Sequence, residues 1–175
     1  MSRTLRFVPL ALFALIVAAM VWRLARPADT NVHSKLAGKP VPSFELGAAL
    51  QTKPTLNSRD LKMGSPQLVN IFASWCVPCI SEVKVLQQLK ARGVVVDGIA
   101  VRDKPEDIAA FLAANGDPYS PIGSDPQSNV QIALGSSGVP ESFVVDGRGI
   151  IRYQHIGPIE SGDVPMILAK LEAAR

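Results

Sequence analysis

The sequence contains two cysteines, Cys76 and Cys79, which are separated by two residues. An apolar run, residues 68–73, precedes this pair, and a segment with helical periodicity follows it. A strand, then Cys-x-x-Cys, then a helix is the arrangement of a redox site in which two thiols open and close a disulfide. If Cys76 caps the helix, unpaired backbone N–H groups and the helix dipole stabilise its thiolate, which is the nucleophile in disulfide exchange.

The residues around the two cysteines have expected roles in the same site. Pro78 would lie in the first helical turn, where its missing N–H costs little. Trp75 would shield the cysteine pair from one side. Cys79 would lie one position deeper than Cys76, which suits the resolving thiol. We therefore expect Cys76 to attack and Cys79 to resolve.

A Cys-x-x-Cys pair has two other common uses. It forms half of many zinc sites, but a structural zinc ion needs about four ligands, and His33 and His155 are isolated in the sequence. A static cross-link is the second alternative, although a ring this small constrains the unfolded chain little. Redox catalysis is favoured, with no metal and with no cofactor besides the redox-active disulfide Cys76–Cys79.

Length, composition and charge limit the classes of partner. The chain has 175 residues, of which 47% are hydrophobic, so it is long enough for one domain with a substantial core. The formal charge of +3 comes from four arginines and one aspartate within the first 30 residues, which leaves residues 31–175 formally neutral. The folded part has no basic patch, and we expect no nucleic-acid partner.

The N-terminal segment predicts a membrane anchor. Residues 7–22 form an uncharged run of 16 residues, and arginines flank it on both sides. A cleavable signal peptide with a small-residue site at Val17-Ala18-Ala19 is the alternative. We predict an anchor helix at residues 1–26, a polar tether at 27–37 and one folded domain at 38–175.

The remaining pattern predicts an α/β fold. Residues 68–73 and 94–101 are apolar runs typical of buried parallel strands, each followed by a helical pattern. Strands at 142–145 and 150–156 would form a hairpin, and Ser161 would cap a final helix. Residues 122–126 are predicted to be a loop. This order gives a mixed central sheet with helices on both faces.

The cysteine motif, the Gly138-Val139-Pro140 segment before a late strand and this element order resemble the thioredoxin superfamily. Three further segments narrow the resemblance, which covers roughly residues 36–160. Residues 38–44, 138–143 and 149–157 are similar to the DsbE/CcmG family of thiol:disulfide interchange proteins of cytochrome c maturation. The resemblance implies a thioredoxin-like fold and a membrane-anchored periplasmic reductant.

The family pattern also implies roles for single residues. Pro140 should be a cis-proline facing the disulfide, with the Val139 backbone offered to an extended substrate. Glu82 and Glu141 match the acidic positions of the family's site, where a buried carboxylate opposes thiolate formation and moves protons. Asp97 is a lesser candidate for the same proton role.

Tyr119 and His155 have expected roles as well. Tyr119 matches a family segment and is expected to line the substrate groove, whereas His155 is expected to be structural.

The resemblance implies partners and a location as well. Cys76 would reduce the haem-binding cysteines of apocytochrome c or a thiol protein of cytochrome c maturation, and a membrane electron donor of the DsbD/CcdA type would recharge the disulfide. The protein would be a single-pass inner-membrane protein with its catalytic domain in the periplasm. The alternatives are a TlpA/ResA-like general reductase, a peroxidase and a non-catalytic binding module.

Overall fold

A computed structural model describes residues 8–24 and 36–175 of the chain. Helix α1 (Val8–Leu24) has 17 residues, and the large apolar side chains between residues 12 and 22 are exposed. Within these ranges, no helix is both long enough and apolar enough to cross a membrane. The anchor at residues 1–26 therefore stays a prediction, and Arg3, Arg6, Arg26 and most of the tether at 27–37 lie outside the described residues.

Within residues 36–175, five strands form the central sheet: β3 (Gln67–Phe72), β4 (Val96–Val101), β5 (Ile122–Asp125), β6 (Glu141–Val145) and β7 (Ile151–Ile156). Their spatial order is β5-β4-β3-β6-β7. Strands β3, β4 and β5 are parallel, whereas β6 and β7 are antiparallel to their neighbours. The predicted mixed sheet is thus observed, and β3, which leads into the cysteines, lies at its centre.

Four helices accompany this sheet: α2 (Val77–Ala91), α3 (Pro105–Asn115), α4 (Asn129–Ala133) and α5 (Val164–Ala173). Alternate residues of a strand point to opposite faces of the sheet. Phe72 packs its ring against Phe111 of α3, and Asn70 hydrogen-bonds to Glu82 of α2, so α2 and α3 cover the same face. Helix α5 contacts α2 and β6.

A small antiparallel sheet covers part of the opposite face. It consists of β1 (Glu45–Leu46) and β2 (Leu56–Asn57), and a short 3-10 helix, Asp60–Lys62, follows it. A Cβ on Gly123 would come within 2.8 Å of Leu46 atoms, so only glycine lets this sheet approach β5 so closely. Strand β1 pairs with β2 and is not a strand of the central sheet.

Two predictions of secondary structure were wrong. Residues 122–126 are predicted to be a loop because Gly123 and Ser124 follow no strand-like pattern. In the structure these residues contain the edge strand β5, which pairs with β4. Ser161 does not cap the last helix: α5 begins at Val164, preceded by Asp163, and Pro165 occupies its first turn, where a missing N–H is tolerated.

The hairpin between β6 and β7 is organised by Asp146. Its buried carboxylate accepts hydrogen bonds from the backbone N–H groups of Arg148 and Ile150, both at 2.9 Å, and pairs with Arg152 at 2.6 Å. Burial alone would raise the pKa of Asp146, but the bonds from Ile150, Arg152 and Arg148 outweigh it and lower the pKa from its ordinary value of 3.8.

We predict that Asp146→Ala lowers the free energy of unfolding by about 2–3 kcal/mol, because two turn N–H groups and Arg152 lose their acceptor. Chemical denaturation at neutral pH measures this loss. A group with a lowered folded pKa stabilises the protein above its unfolded pKa, so the difference between wild type and variant should shrink as the pH falls below about 4.

Glu160→Ala is the matched control for this variant, because Glu160 is an exposed acid. It should change the free energy of unfolding by less than about 0.5 kcal/mol. An Asp146→Ala protein as stable as this control would show that the carboxylate does not hold the turn.

Candidate active site

Cys76 and Cys79 form a disulfide at the N-terminus of α2, with their Cα atoms 5.3 Å apart. Cys76 is the residue that caps the helix, with extended backbone angles, and its sulfur accepts a hydrogen bond from the Cys79 backbone N–H at 3.3 Å. Both residues are buried in this oxidised form. When the disulfide opens, the Cys76 sulfur is already placed at the positive end of the helix dipole, where a thiolate is stabilised.

The surface beside the disulfide is apolar and exposed. Trp75, Val77 and Ile80 are 54%, 75% and 43% exposed, and Pro78 is also exposed in the first turn of α2. Trp75 donates its indole N–H to the Arg102 carbonyl at 3.2 Å, and the Arg102 guanidinium lies 5.7 Å from the ring centre. Trp75 therefore stands next to the cysteines as a fixed apolar surface.

The segment before the cysteines is held by Asp103, in the loop between β4 and α3. Its carboxylate accepts hydrogen bonds from the Ser74 backbone N–H at 2.5 Å and from the Ser74 hydroxyl at 2.7 Å. These bonds fix the turn between β3 and α2, on which the position of Cys76 depends.

The Val139–Pro140 peptide bond is cis, as predicted. Glu141, the next residue, pairs with Ile71, so this peptide lies at the same end of the sheet at which β3 leads to Cys76. Pro140 is buried and Val139 is half-buried. Within the part of the chain that the structure describes, neither the N–H nor the carbonyl of Val139 has a hydrogen-bond partner, so both can bind another chain.

Glu82 is buried one turn after Cys79 on α2. One carboxylate oxygen accepts a hydrogen bond from the Ile159 N–H at 3.0 Å, and the other accepts one from the Asn70 side chain at 3.2 Å. Burial raises the pKa of Glu82 from 4.5 to about 7, against the opposing effect of these two donors. A carboxyl group with this pKa exchanges a proton near neutral pH.

Glu141 is also buried, and its hydrogen bonds are extensive. One oxygen accepts bonds from the Ser137 N–H, at 2.9 Å, and from the Ser137 hydroxyl, and the other accepts a bond from the Gln154 side chain at 2.8 Å. Glu141 pairs with Ile71 whereas Glu82 bonds to Asn70, so the two acids lie on opposite faces of the sheet.

Asp97 does not share the face of Glu82. A Cβ on the next residue, Gly98, would touch Tyr119 and Phe72, so Asp97 points to the opposite face. Its carboxylate is buried and one oxygen has no hydrogen-bond partner; burial, reinforced by the charge of Asp60, raises the pKa of Asp97 to about 7. Its expected proton role at the dithiol therefore lacks structural support.

Tyr119 is a core residue and does not line a surface groove, which corrects the expectation from the sequence. Its ring is 1% exposed and stacks on Phe72 with a centroid distance of 4.4 Å. Its hydroxyl donates to the Asn70 side-chain oxygen at 2.8 Å. His155 lies 3.2 Å from the Pro158 carbonyl, a contact that fits the structural role expected of it.

Several polar residues of the site were not identified from the sequence. Asn70 and Ser142 are fully buried inside runs that otherwise look like ordinary strands, and Asp103 lies in a loop. The available signal was polarity at positions where a strand between two covered faces should be apolar. Among the described residues, no group of three or more histidine, cysteine, aspartate or glutamate side chains is placed to hold a metal ion.

Comparisons with known proteins agree with this geometry. The chain matches the Redoxin family model over residues 36–171. It is 38% identical over 163 residues to the thiol:disulfide interchange protein DsbE of Escherichia coli (strain K12), covering 91% of this chain and 88% of that protein. It is 36% identical to HelX of Rhodobacter capsulatus, covering 91% and 90% of the two chains.

A solved structure supports the same fold. The chain is similar to a thiol:disulfide interchange protein of the thioredoxin family from Chlorobium tepidum, with 27% identity and a TM-score of 0.58. The match covers 77% of this chain and 94% of that one.

We predict that Glu82→Gln and Asp97→Asn both flatten the pH dependence of stability, whereas only Glu82→Gln alters catalysis. A carboxyl with a raised folded pKa stabilises the protein fully below its unfolded pKa, and this contribution is lost as the pH rises through about 7. Chemical denaturation of the oxidised proteins between about pH 4 and about pH 8 measures both contributions.

Catalysis separates the two acids. The measured quantity is the rate at which glutathione reduces the disulfide, divided by the concentration of glutathione thiolate. In the wild type this quantity should change near pH 7, where Glu82 exchanges its proton. Glu82→Gln should remove that change and Asp97→Asn should keep it. A wild-type profile retained by Glu82→Gln would exclude Glu82 from proton transfer.

Proposed function

Because the chain belongs to the redoxin family and is a thiol-disulfide oxidoreductase similar to DsbE and HelX, we propose that it reduces client disulfides during cytochrome c maturation. The observation that supports this most is the Cys76 sulfur at the N-terminus of α2, hydrogen-bonded to the Cys79 N–H. The proposed client is apocytochrome c, through its haem-binding cysteines, or a maturation thiol protein that acts on them.

The proposed reaction begins with the reduced protein. The Cys76 thiolate attacks one sulfur of the client disulfide, a mixed disulfide forms, and the second client sulfur leaves as a thiolate that takes up a proton. Cys79 then loses its proton and attacks the Cys76 sulfur. The first client thiol is released, so the client gains two electrons and two protons while Cys76–Cys79 becomes oxidised.

Protein groups around the disulfide support individual steps of this scheme. Trp75, Val77 and Ile80 offer an exposed apolar surface to a client segment. The unpaired backbone groups of Val139 suit the main chain of an extended client. Glu82, one turn after Cys79, is proposed to exchange the proton of the resolving thiol. Glu141, buried beside Pro140, is proposed to support the same end of the site.

The oxidised protein needs a source of electrons. We propose a membrane protein of the DsbD/CcdA type, whose thiols would attack the Cys76–Cys79 disulfide and leave both cysteines reduced. We also propose that residues 1–26 anchor the chain in the inner membrane, with residues 38–175 in the periplasm. Helix α1 would span about 26 Å at 1.5 Å per residue, close to the ~30 Å hydrocarbon core.

We predict that Cys79→Ser accumulates mixed disulfides with clients, whereas the matched Cys76→Ser variant does not. Without the second thiol the first exchange cannot be resolved, and without Cys76 it cannot begin. Full-length variants expressed in a cell that makes c-type cytochromes, acid-quenched and separated without reductant, give the trapped clients by mass spectrometry.

The identity of the trapped clients decides the proposal. Apocytochrome c or a maturation thiol protein bound to Cys79→Ser supports it. Unrelated secreted proteins alone would instead indicate a general reductase of the TlpA/ResA type. Equal trapping by Cys76→Ser would contradict the assignment of Cys76 as the nucleophile.

A further inference from the structure

Asn70 connects the three elements that form the active site. Its side chain is completely buried on β3, six residues before Cys76. The amide nitrogen lies 3.2 Å from Glu82 on α2 and 2.9 Å from the Ser142 hydroxyl on β6, the strand that follows Pro140. The amide oxygen accepts the hydrogen bond of the Tyr119 hydroxyl at 2.8 Å.

The orientation of this amide follows from its neighbours. An ionised carboxylate can only accept hydrogen bonds, so the Asn70 atom that faces Glu82 must be the nitrogen. The oxygen then faces Tyr119, whose hydroxyl supplies the donor. With Glu82 ionised, a reversed amide would place two acceptor oxygens against each other, which is unfavourable in a buried site.

Glu82 is therefore balanced between two protonation states by its immediate surroundings. Burial favours the neutral acid, whereas the donors from Asn70 and Ile159 favour the carboxylate. Both oxygens already accept a bond, so a proton on Glu82 must displace or weaken one of them.

Few other titratable groups face this carboxyl. Tyr119, from the loop before β5, reaches it through Asn70, and Cys79 lies one turn earlier on α2. Glu141 on β6 and Asp97 on β4 lie on the opposite face of the sheet. Asp163 lies near the segment that supplies the Ile159 N–H, but its carboxylate accepts a hydrogen bond from the Glu160 N–H and does not bond to Glu82.

We propose that Asn70 is a positioning residue for disulfide exchange, which, oriented by Tyr119, controls when Glu82 gives up its proton. The inference rests on the proposed use of Glu82 in exchange but not on the identity of the client. Asn70 touches neither the sulfur atoms nor the client and acts through Glu82. Because the same amide also bonds to Ser142, it ties the strand after Pro140 to the helix that begins at Cys76.

The test is a titration of Glu82 itself in the oxidised full-length protein. Carbon-13 NMR of glutamate-labelled protein follows the carboxyl, and the resonance missing from Glu82→Gln assigns it. In Asn70→Leu, which removes the amide donor at similar volume, the midpoint should rise by about one pH unit or more, a tenfold change in proton affinity. Tyr119→Phe, which removes one hydroxyl, should move it in the same direction by less.

Tyr153→Phe is the matched control, because Tyr153 lies on β7 in contact with Lys170, outside these hydrogen bonds. It should leave the Glu82 midpoint unchanged. Tyr119→Phe also keeps the test usable if Asn70→Leu does not fold, because it retains the ring that stacks on Phe72 and removes only the hydroxyl.

The pH profile of glutathione exchange is the second readout, since a merely structural Asn70 would not move it. The inference predicts that the change near pH 7 shifts upward together with the Glu82 midpoint. A midpoint unchanged in folded Asn70→Leu and Tyr119→Phe overturns the inference. A Glu82 midpoint that shifts while the pH profile of glutathione exchange stays in place also overturns the inference. That result would not contradict the proposed reduction of client disulfides.

Discussion

The hydrogen bond between the Cys79 N–H and the Cys76 sulfur is the interaction on which the rest of the site depends. It places the sulfur at the end of α2 where backbone N–H groups are unpaired, so the helix itself favours a thiolate. The central strand β3 brings the chain to this point, and Asp103 fixes the intervening turn through Ser74. The mixed sheet therefore supports the turn that holds the Cys76 sulfur at the N-terminus of α2.

Three of the buried carboxyl groups, those of Glu141, Asp97 and Glu82, show how position determines the use of an acid. Glu141 is surrounded by donors from Ser137 and Gln154, an arrangement suited to holding a loop. Asp97 has an oxygen without a partner on the face away from α2. Glu82 alone combines burial, two donors and a place one turn from Cys79, so it is the acid suited to exchange a proton with the resolving thiol.

Local sequence patterns were sufficient to predict the dithiol and most strands of the sheet, because the Cys-x-x-Cys spacing and the apolar runs depend on neighbours in the chain. The cis peptide at Pro140 and the acids Glu82 and Glu141 came from the family resemblance. Strand β5 was missed because its pairing with β4 and its packing against Leu46 are made by residues far away in the sequence. The hydrogen bonds of Asn70 and Tyr119 could not be predicted for the same reason, because their partners are 12 to 72 residues away in the sequence.

The most direct test of this account is the ionisation of Cys76 in the reduced Cys79→Ser protein, followed by the ultraviolet absorbance of the thiolate. This variant has a single thiol and keeps the backbone N–H at position 79. Half of the thiolate should form at a pH well below ~8.5, the pKa of an ordinary cysteine. Half-formation at or above that pH would contradict stabilisation of the Cys76 sulfur by the helix N-terminus.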